Sequence, residues 1–229
     1  MGYTENMAKK PKPLPRITLL ILILIPSVLL NLFFILNQSR FKSKIGAVRV
    51  IGVIDGDTLV LEGKIKVRLR QVDAPELLYC GGEEAKKELE TLVTGKFVRL
   101  EEQIPDQYGR AMALVYVGNV LINRKMVESG WVRYHYDITK QAEELKAANE
   151  KAKVNKLGIY KICQAKENTQ NPSCNIKGNI DKANDKKRYY LPDCAQYAFT
   201  IVEKDVGEEW FCTEAAARKA GYSKAETCR

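Results

Sequence analysis

Residues 55–76 read Asp-Gly-Asp-Thr-Leu-Val-Leu-Glu-Gly-Lys-Ile-Lys-Val-Arg-Leu-Arg-Gln-Val-Asp-Ala-Pro-Glu, and fold and chemistry both turn on how this stretch is read. Leu59 and Leu61 fall on one face at two-residue spacing, and Ile65, Val67 and Leu69 fall on one face of the next segment, which predicts two strands. Gly63-Lys64 between them predicts a tight turn. A hairpin brings its ends together, so Asp57 at its start and Asp73 beyond its end are expected to be neighbours. Two clustered carboxylates repel unless a cation or a proton lies between them. Hard oxygen donors suit Ca²⁺ or Mg²⁺ rather than a soft metal. Taken singly, Asp-Gly-Asp is an ordinary polar turn and Asp-Ala-Pro-Glu an ordinary helix entry; only their conjunction carries chemistry.

Outward from this stretch, Ala47 to Ile54 is rich in branched residues and reads as a strand. After the hairpin, Ala85, Leu89, Leu92 and Val93 switch to helical spacing, with Gly95 as a stop. Residues 97–100 and 110–117 read as strands, residues 122–128 as a short helix ended by Gly130. Residues 139–156 form a second periodic helix, closed by Gly158. Three strands, a helix, two strands and two helices fit an α+β fold. A five-stranded barrel of the oligonucleotide- and oligosaccharide-binding kind (OB-fold), with about three helices, accommodates the order.

The chain has 229 residues and a net charge of +9, enough length for one ordinary domain with attachments. Six of those net charges lie in the first 44 residues, so the remainder is close to neutral and bulk charge is no argument for a nucleic-acid partner. Residues 17–36 form a 20-residue apolar run between basic flanks, long enough to span a bilayer core. No small-x-small cleavage site follows it, which favours an uncleaved anchor over a signal peptide. The flanking Lys/Arg count, four before and three after, orients it weakly. All six cysteines (Cys80, Cys163, Cys174, Cys194, Cys212 and Cys228) follow the anchor and none forms a Cys-x-x-Cys pair. That suits disulfides in an oxidising space and puts the bulk of the chain outside the cytoplasm. The expected organisation is a cytoplasmic basic tail over 1–16, a transmembrane anchor over 17–36 and a barrel domain over 45–162. A polar linker over 163–174 and a small cysteine-containing module over 175–229 complete it.

Five blocks, in order, carry a family resemblance: Asp55-Gly-Asp57-Thr58, Val67-Arg68-Leu69, Val72-Asp73-Ala74-Pro75-Glu76, Asp106-Gln-Tyr108-Gly109-Arg110, and the Leu157-Gly-Ile-Tyr160 close. Over about residues 46–162 the chain resembles the staphylococcal (micrococcal) nucleases, or thermonucleases. The resemblance implies a Ca²⁺-dependent phosphodiesterase acting on single-stranded or frayed DNA and RNA and leaving 3′-phosphates. It implies Asp57, Asp73 and the backbone carbonyl of Ala74 as metal ligands. Glu76 would orient or deprotonate the attacking water, and Arg68 and Arg110 would hold the phosphate oxygens, for which a planar guanidinium is suited. Tyr108, Tyr134 and Tyr136 match substrate-binding positions, the first more closely than the others. Two departures bear on end-phosphate binding: position 107 is Gln where Lys is common, and the Leu77-Leu-Tyr-Cys-Gly-Gly82 loop is short and has no lysine. His135, the single histidine, is expected on the surface and excludes any two-imidazole mechanism within one chain.

The C-terminal stretch is similar to a small module appended to exported nucleases. Its Trp-Phe and Ala-Gly-Tyr elements also resemble the zinc domain of a bacterial alkylation-repair regulator, but that domain uses two close cysteine pairs, which are missing here. Disulfides are the preferred reading: Cys80 with Cys163, and Cys194 with Cys212 or Cys228. A monomer is expected, with the module's ligand open. The competing function is a catalytically silent barrel that binds nucleic acid or protein at the cell surface. Degenerate copies would be expected to lose carboxylates or arginines, whereas Asp57, Arg68, Asp73, Glu76 and Arg110 are all present.

Overall fold

The computed structural model describes residues 25–28, 30–32 and 46–228. The expected tail over 1–16 and most of the expected anchor over 17–36 lie outside the described residues. Those described within the anchor, 25–28 and 30–32, are helical and exposed. Among the described residues no helix is long and apolar enough to cross a membrane.

Residues 46–228 form one compact unit. Its first part is a closed barrel. Strands β1 (Val48–Val53), β2 (Thr58–Leu61) and β3 (Ile65–Leu69) form an antiparallel meander. After β4 (Val72–Asp73), helix α1 (Gly82–Val93) and β5 (Phe97–Pro105), strand β6 (Ala111–Val117) pairs antiparallel with β5 and parallel with β3. β5 also pairs with β1, so β1, β2, β3, β6 and β5 close on themselves, the five-stranded topology anticipated from the element order. Then follow β7 (Val120–Leu121), α2 (Ile122–Ser129), β8 (Arg133–Tyr134), α3 (Ala142–Val154) and α4 (Ile159–Ile162).

The buried hairpin residues are Leu59, Leu61, Val67 and Leu69, which pack with Ala85, Leu89 and Val93 of α1 and Leu145 of α3 in one core. Ile65, assigned to the same face, is 54% exposed. It lies at the first position after the turn, beyond the rim of the barrel. β5 runs five residues past its expected end because its register shifts between Glu101 and Ile104, with Glu102 at φ 49°. Such a bulge breaks the two-residue alternation from which a strand is recognised. Helix α3 starts at Ala142 rather than Thr139: the Thr139 hydroxyl accepts from Gln141 N and donates to Gln71 Oε1, which holds 139–141 in a turn. A short fourth helix, α4, adds to the three expected.

Strand β9 (Gln164–Ala165), inside the stretch read as a linker, pairs with β12 (Val202–Glu203). Between them lie β10 (Ile176–Ile180) and β11 (Lys187–Tyr190). A 3-10 turn (Lys204–Val206), β13 (Trp210–Phe211), α5 (Glu214–Lys219) and β14 (Ser223–Lys224) follow. A four-stranded sheet in the order β13-β10-β11-β14 supports a small core of Ile176, Tyr189, Phe211, Ala217 and Tyr222. Three disulfides join Cys80 to Cys163, Cys174 to Cys212 and Cys194 to Cys228. Cys212 therefore pairs with Cys174, which had been given no partner, and Cys194 takes the second of its two expected partners. Every cysteine is paired, so no thiolate is left for zinc. A core this small gains stability from such cross-links.

The module also buries a carboxyl. Glu208 accepts from Asn179 Nδ2, Ile180 N and Glu203 N at 2.7–2.9 Å, yet burial pushes it up from an ordinary 4.5 to about 7. The folded protein thus holds this proton more tightly than the unfolded chain. The resulting stabilisation is complete below about pH 4.5 and is lost as pH rises to about 7, a change of a few kcal/mol at about 1.4 kcal/mol per unit. Denaturant midpoints measured from pH 4.5 to 8 should fall more steeply in the wild type than in Glu208→Gln.

Candidate active site

The site is assembled by the hairpin register. Thr58 lies opposite Arg68, and Leu69 N donates to Asp57 O at 2.7 Å, which fixes Asp57 beside the Arg68 end of β3. The chain then turns at Arg70-Gln71, with Gln71 at φ 62°, and returns as β4 carrying Asp73. Arg68 Nη2 lies 2.7 Å from Asp57 Oδ2 and donates to Asp73 Oδ1 at 2.9 Å. The two carboxylates are brought together as anticipated, and one guanidinium nitrogen touches both.

Asp57 is 2% exposed. Its Oδ1 accepts from the Thr58 hydroxyl at 2.9 Å and its Oδ2 from Ala74 N at 3.2 Å, while Asp55 Oδ1 accepts from Asp57 N at 3.1 Å. Asp55 is thus a turn residue behind the site. Burial pushes the Asp57 carboxyl up to about 7 against the pull of Arg68, and the nearby charge of Asp55 adds to the rise. An acidic pair so placed calls for positive charge, which Arg68 supplies here. Among the described residues no three His, Cys, Asp or Glu side chains cluster as a metal site. The available donors are the carboxylates of Asp57 and Asp73 and the backbone oxygen of Ala74, all hard oxygens. That donor chemistry, with a guanidinium standing in for a cation between the carboxylates, fits Ca²⁺ rather than a soft metal.

Arg110 comes from the loop joining β5 to β6. Asp106 organises that loop: its Oδ1 accepts from Tyr108 N (2.8 Å) and Arg110 N (2.7 Å), and its Oδ2 accepts from Arg110 Nε at 2.6 Å. The bond to Asp106 is the main reason that the Arg110 pKa is raised, and the fields of Asp57 and Asp55 add to it. Arg110 is therefore charged at any working pH and feels the same acidic end of the barrel as Arg68. Glu76 is exposed at the start of the loop that leads into α1.

A cleft of about 360 Å³ is lined by Arg68, Asp73, Ile104, Met112, His135 and Tyr136, among others. Tyr136 is 74% exposed and available to stack against a base. Tyr108, equally exposed, lies with its ring 5.4 Å from the Arg110 guanidinium. Tyr134 is placed differently: it packs half-buried against the barrel core, and its N–H donates to Asn149 Oδ1. His135 is exposed, as expected, and its backbone N–H donates to Gln71 O.

Two supporting residues gave no signal of their role in the sequence. Arg70 shares a strand face with Arg68 but is buried, paired with Asp137 and donating to Glu102 O and Ile138 O at 2.8 and 2.9 Å. It is spent on holding the far wall of the cleft. Asn123, fully buried on α2, accepts from Val115 N at 2.8 Å and donates to Arg70 O (2.8 Å) and Ala113 O (3.1 Å). It thereby fixes the turn from which Asp73 departs.

Comparison with known proteins agrees with this geometry. Residues 66–162 match the model of the staphylococcal nuclease homologue family. That span includes Arg68, Asp73, Glu76 and Arg110; Asp57 lies just ahead of it. The chain is 40% identical over 131 residues to an uncharacterised endonuclease of Haemophilus influenzae, covering 53% of this chain and 72% of that one. It is 30% identical over 160 residues to the thermonuclease of Staphylococcus hyicus, covering 62% and 95%. A staphylococcal-like nuclease of Arabidopsis thaliana is 31% identical over 101 residues, 44% of this chain and 31% of the plant protein.

Proposed function

The chain belongs to the staphylococcal nuclease family, and from that premise we propose a Ca²⁺-dependent nuclease, anchored in the membrane, whose barrel cleaves DNA and RNA outside the cytoplasm. It is a hydrolase of phosphodiester bonds. The observation that carries the reading is the convergence of Asp57 and Asp73 on Arg68, with Arg110 in the field of Asp57 and Glu76 three residues beyond Asp73. A binding barrel has no need of a buried carboxylate, Asp57, set beside a second at the surface, Asp73, so that the two share one guanidinium.

Asp57, Asp73 and the Ala74 carbonyl would hold the ion. When bound, Ca²⁺ supplies Lewis-acid polarisation of the scissile phosphate and neutralises charge. Arg68 exchanges its carboxylate partners for a phosphate oxygen, while Arg110, held in place by Asp106, faces the same group. Both stabilise charge that grows on the equatorial oxygens as water attacks. Glu76 orients that water and takes its proton, and its exposure leaves room for water to reach it. Tyr136 and Tyr108 offer faces to unstacked bases, which favours single-stranded or frayed substrates without sequence preference. A 3′-phosphate product is expected from the family.

Two direct carboxylates and one carbonyl make a weak Ca²⁺ site, with Kd on the order of 10⁻⁴–10⁻³ M, the range of extracellular modules. Such a site fills outside the cell, consistent with three disulfides and with an apolar run at residues 17–36. The full chain in detergent, given denatured DNA, should cleave with half-maximal activity near millimolar Ca²⁺ and stop on addition of chelator. Cleavage that is indifferent to chelator would refute the metal assignment, and the lack of any cleavage would refute the nuclease reading.

A further inference from the structure

The loop that follows Glu76 is short and held on several sides. Tyr79 N donates to Glu76 O at 2.8 Å, and Gly82 N to Tyr79 O at 3.1 Å. A Cβ on Gly82 would lie 2.2 Å from Glu76 O, so only glycine permits this return of the chain under Glu76. Cys80, one residue past Tyr79, is cross-linked to Cys163 at the end of α4.

The remaining anchor comes from the far end of the chain. The Tyr79 ring lies on Gly207 of the C-terminal module: a Cβ there would be 2.7 Å from Tyr79 Cζ and 2.9 Å from its hydroxyl. Gly207 also sits at φ 84° and closes the 3-10 turn by donating to Lys204 O at 3.3 Å. Position 207 is therefore doubly restricted to glycine, by backbone conformation and by the ring above it. Behind it the turn is packed into the module's core. The Tyr222 hydroxyl donates to Gly207 O at 3.3 Å, and Tyr222 packs edge-on against Phe211 at 5.0 Å in the module's core. On the other side, Lys204 N donates to Cys163 O at 2.9 Å, so the turn that bears Gly207 is tied to the same cysteine that holds Cys80. Around this contact the loop and module stand apart across a cleft of about 570 Å³ lined by Leu78, Asn171, Lys204, Glu209 and Trp210, among others. At Tyr79 on Gly207 the module bears directly on the loop.

We propose that the C-terminal module is an intramolecular brace for the Glu76 loop, with Tyr79 and Gly207 as positioning residues for phosphodiester cleavage. The proposal rests on the nuclease reading above. It gives the module a function without an external ligand: it holds the backbone of Glu76 at a fixed distance from Asp73 and Ala74, which precede it on the same strand exit. Displacement of a catalytic group by about 1 Å can cost on the order of 100-fold in rate, whereas substrate binding, carried by the cleft and the arginines, is untouched.

The test uses the full chain and four proteins: wild type, Tyr79→Ala, Tyr79→Phe and Gly207→Ala. Steady-state cleavage of denatured DNA should show kcat reduced about ten- to hundredfold in Tyr79→Ala and Gly207→Ala, with KM within about twofold of wild type. Tyr79→Phe, which keeps the ring on Gly207, should retain wild-type kcat. Hydrogen exchange at the Tyr79 and Gly82 amides should accelerate in the two impaired variants alone. Wild-type kcat in Tyr79→Ala would overturn the proposal, even if Gly207→Ala failed to fold. So would an equal loss in Tyr79→Phe, which would assign the effect to the hydroxyl. A wild-type chain without cleavage would instead overturn the nuclease reading and the positioning role with it, an outcome seen before any variant is compared.

Discussion

Glu76→Gln and Arg110→Ala are each expected to lower kcat on denatured DNA by at least 10²–10³-fold while leaving the protein folded. The glutamine is isosteric with Glu76 but cannot take a proton. Glu76 contributes to its loop through the backbone oxygen that Tyr79 N and the Gly82 turn surround, so the exchange leaves local structure intact. Arg110 is similarly separable from the fold. Its carboxylate partner Asp106 still accepts from the backbone N–H groups of Tyr108 and of residue 110 after the side chain is removed, so the loop keeps its shape and only the guanidinium is lost. Arg110→Lys should recover little, since a point charge on a flexible stem does not reproduce two parallel N–H donors. The measurement is kcat and KM for each protein beside its circular dichroism and melting curve. Near-wild-type kcat in either Glu76→Gln or Arg110→Ala would remove that residue from the mechanism. For Asp57 the expectation is different in kind: its replacement would disturb Thr58, Ala74 and Arg68 together, so a loss there would not separate catalysis from folding.

How much of this was legible in sequence follows the range of the interactions involved. The hairpin could be read because two-residue alternation is a local signal, and the approach of Asp57 to Asp73 followed from it as geometry. The helical faces were legible for the same reason: Ala85, Leu89 and Val93 are buried as their spacing required, and of the stripe Ala142, Leu145, Ala148 or Asn149, and Ala152, the structure buries Leu145, Asn149 and Ala152 and leaves Ala142 half-buried. What failed to show was non-local. The bulge at Glu102 depends on what β6 presents opposite it, and the exposure of Ile65 depends on where the barrel rim falls. Arg70 reads as a twin of Arg68 two residues on, yet its partner Asp137 is 67 positions away. Spacing could not say which of the two faces the cleft. The tyrosines divided in the same manner: Tyr134 and Tyr136 share a strand-like alternation, and only the pairing of Tyr134 with Val72 decides that it turns toward the core and Asn149. The cysteines fixed a class of chemistry but left their pairing open, and the Cys174–Cys212 bridge became visible only with the β10–β13 pairing that brings Ile176 opposite Phe211.

The second large effect is expected where the barrel meets the module. Arg133 leaves β8 and reaches Asp205 Oδ2 with Nε at 2.7 Å and Nη2 at 2.5 Å; Glu203 Oε1 lies 3.4 Å from Nη2. Asp205 is all but fully buried and Arg133 largely so. Arg133→Met keeps the length of the side chain but leaves the buried Asp205 without its cation in a poorly solvated junction, while Glu203 keeps Lys182 at 2.6 Å. Breaking a buried pair from one side costs about 3–5 kcal/mol, most of it the desolvation of the charge left behind. For that reason the double variant Arg133→Met/Asp205→Asn should recover part of the loss, and a double-mutant cycle isolates the coupling between the two residues. Urea unfolding followed by both tryptophan fluorescence and far-ultraviolet circular dichroism checks it, since Trp131 lies in the barrel and Trp210 in the module. If the two parts are one cooperative unit, the wild type unfolds in a single coincident transition and Arg133→Met shifts that whole transition to lower urea. A module that melts first and alone, with the barrel midpoint unmoved, would show that the junction joins two independently stable bodies. In that case the brace on Glu76 would be held in place by the Cys80–Cys163 bridge, the β9–β12 pairing and the Lys204–Cys163 backbone bond.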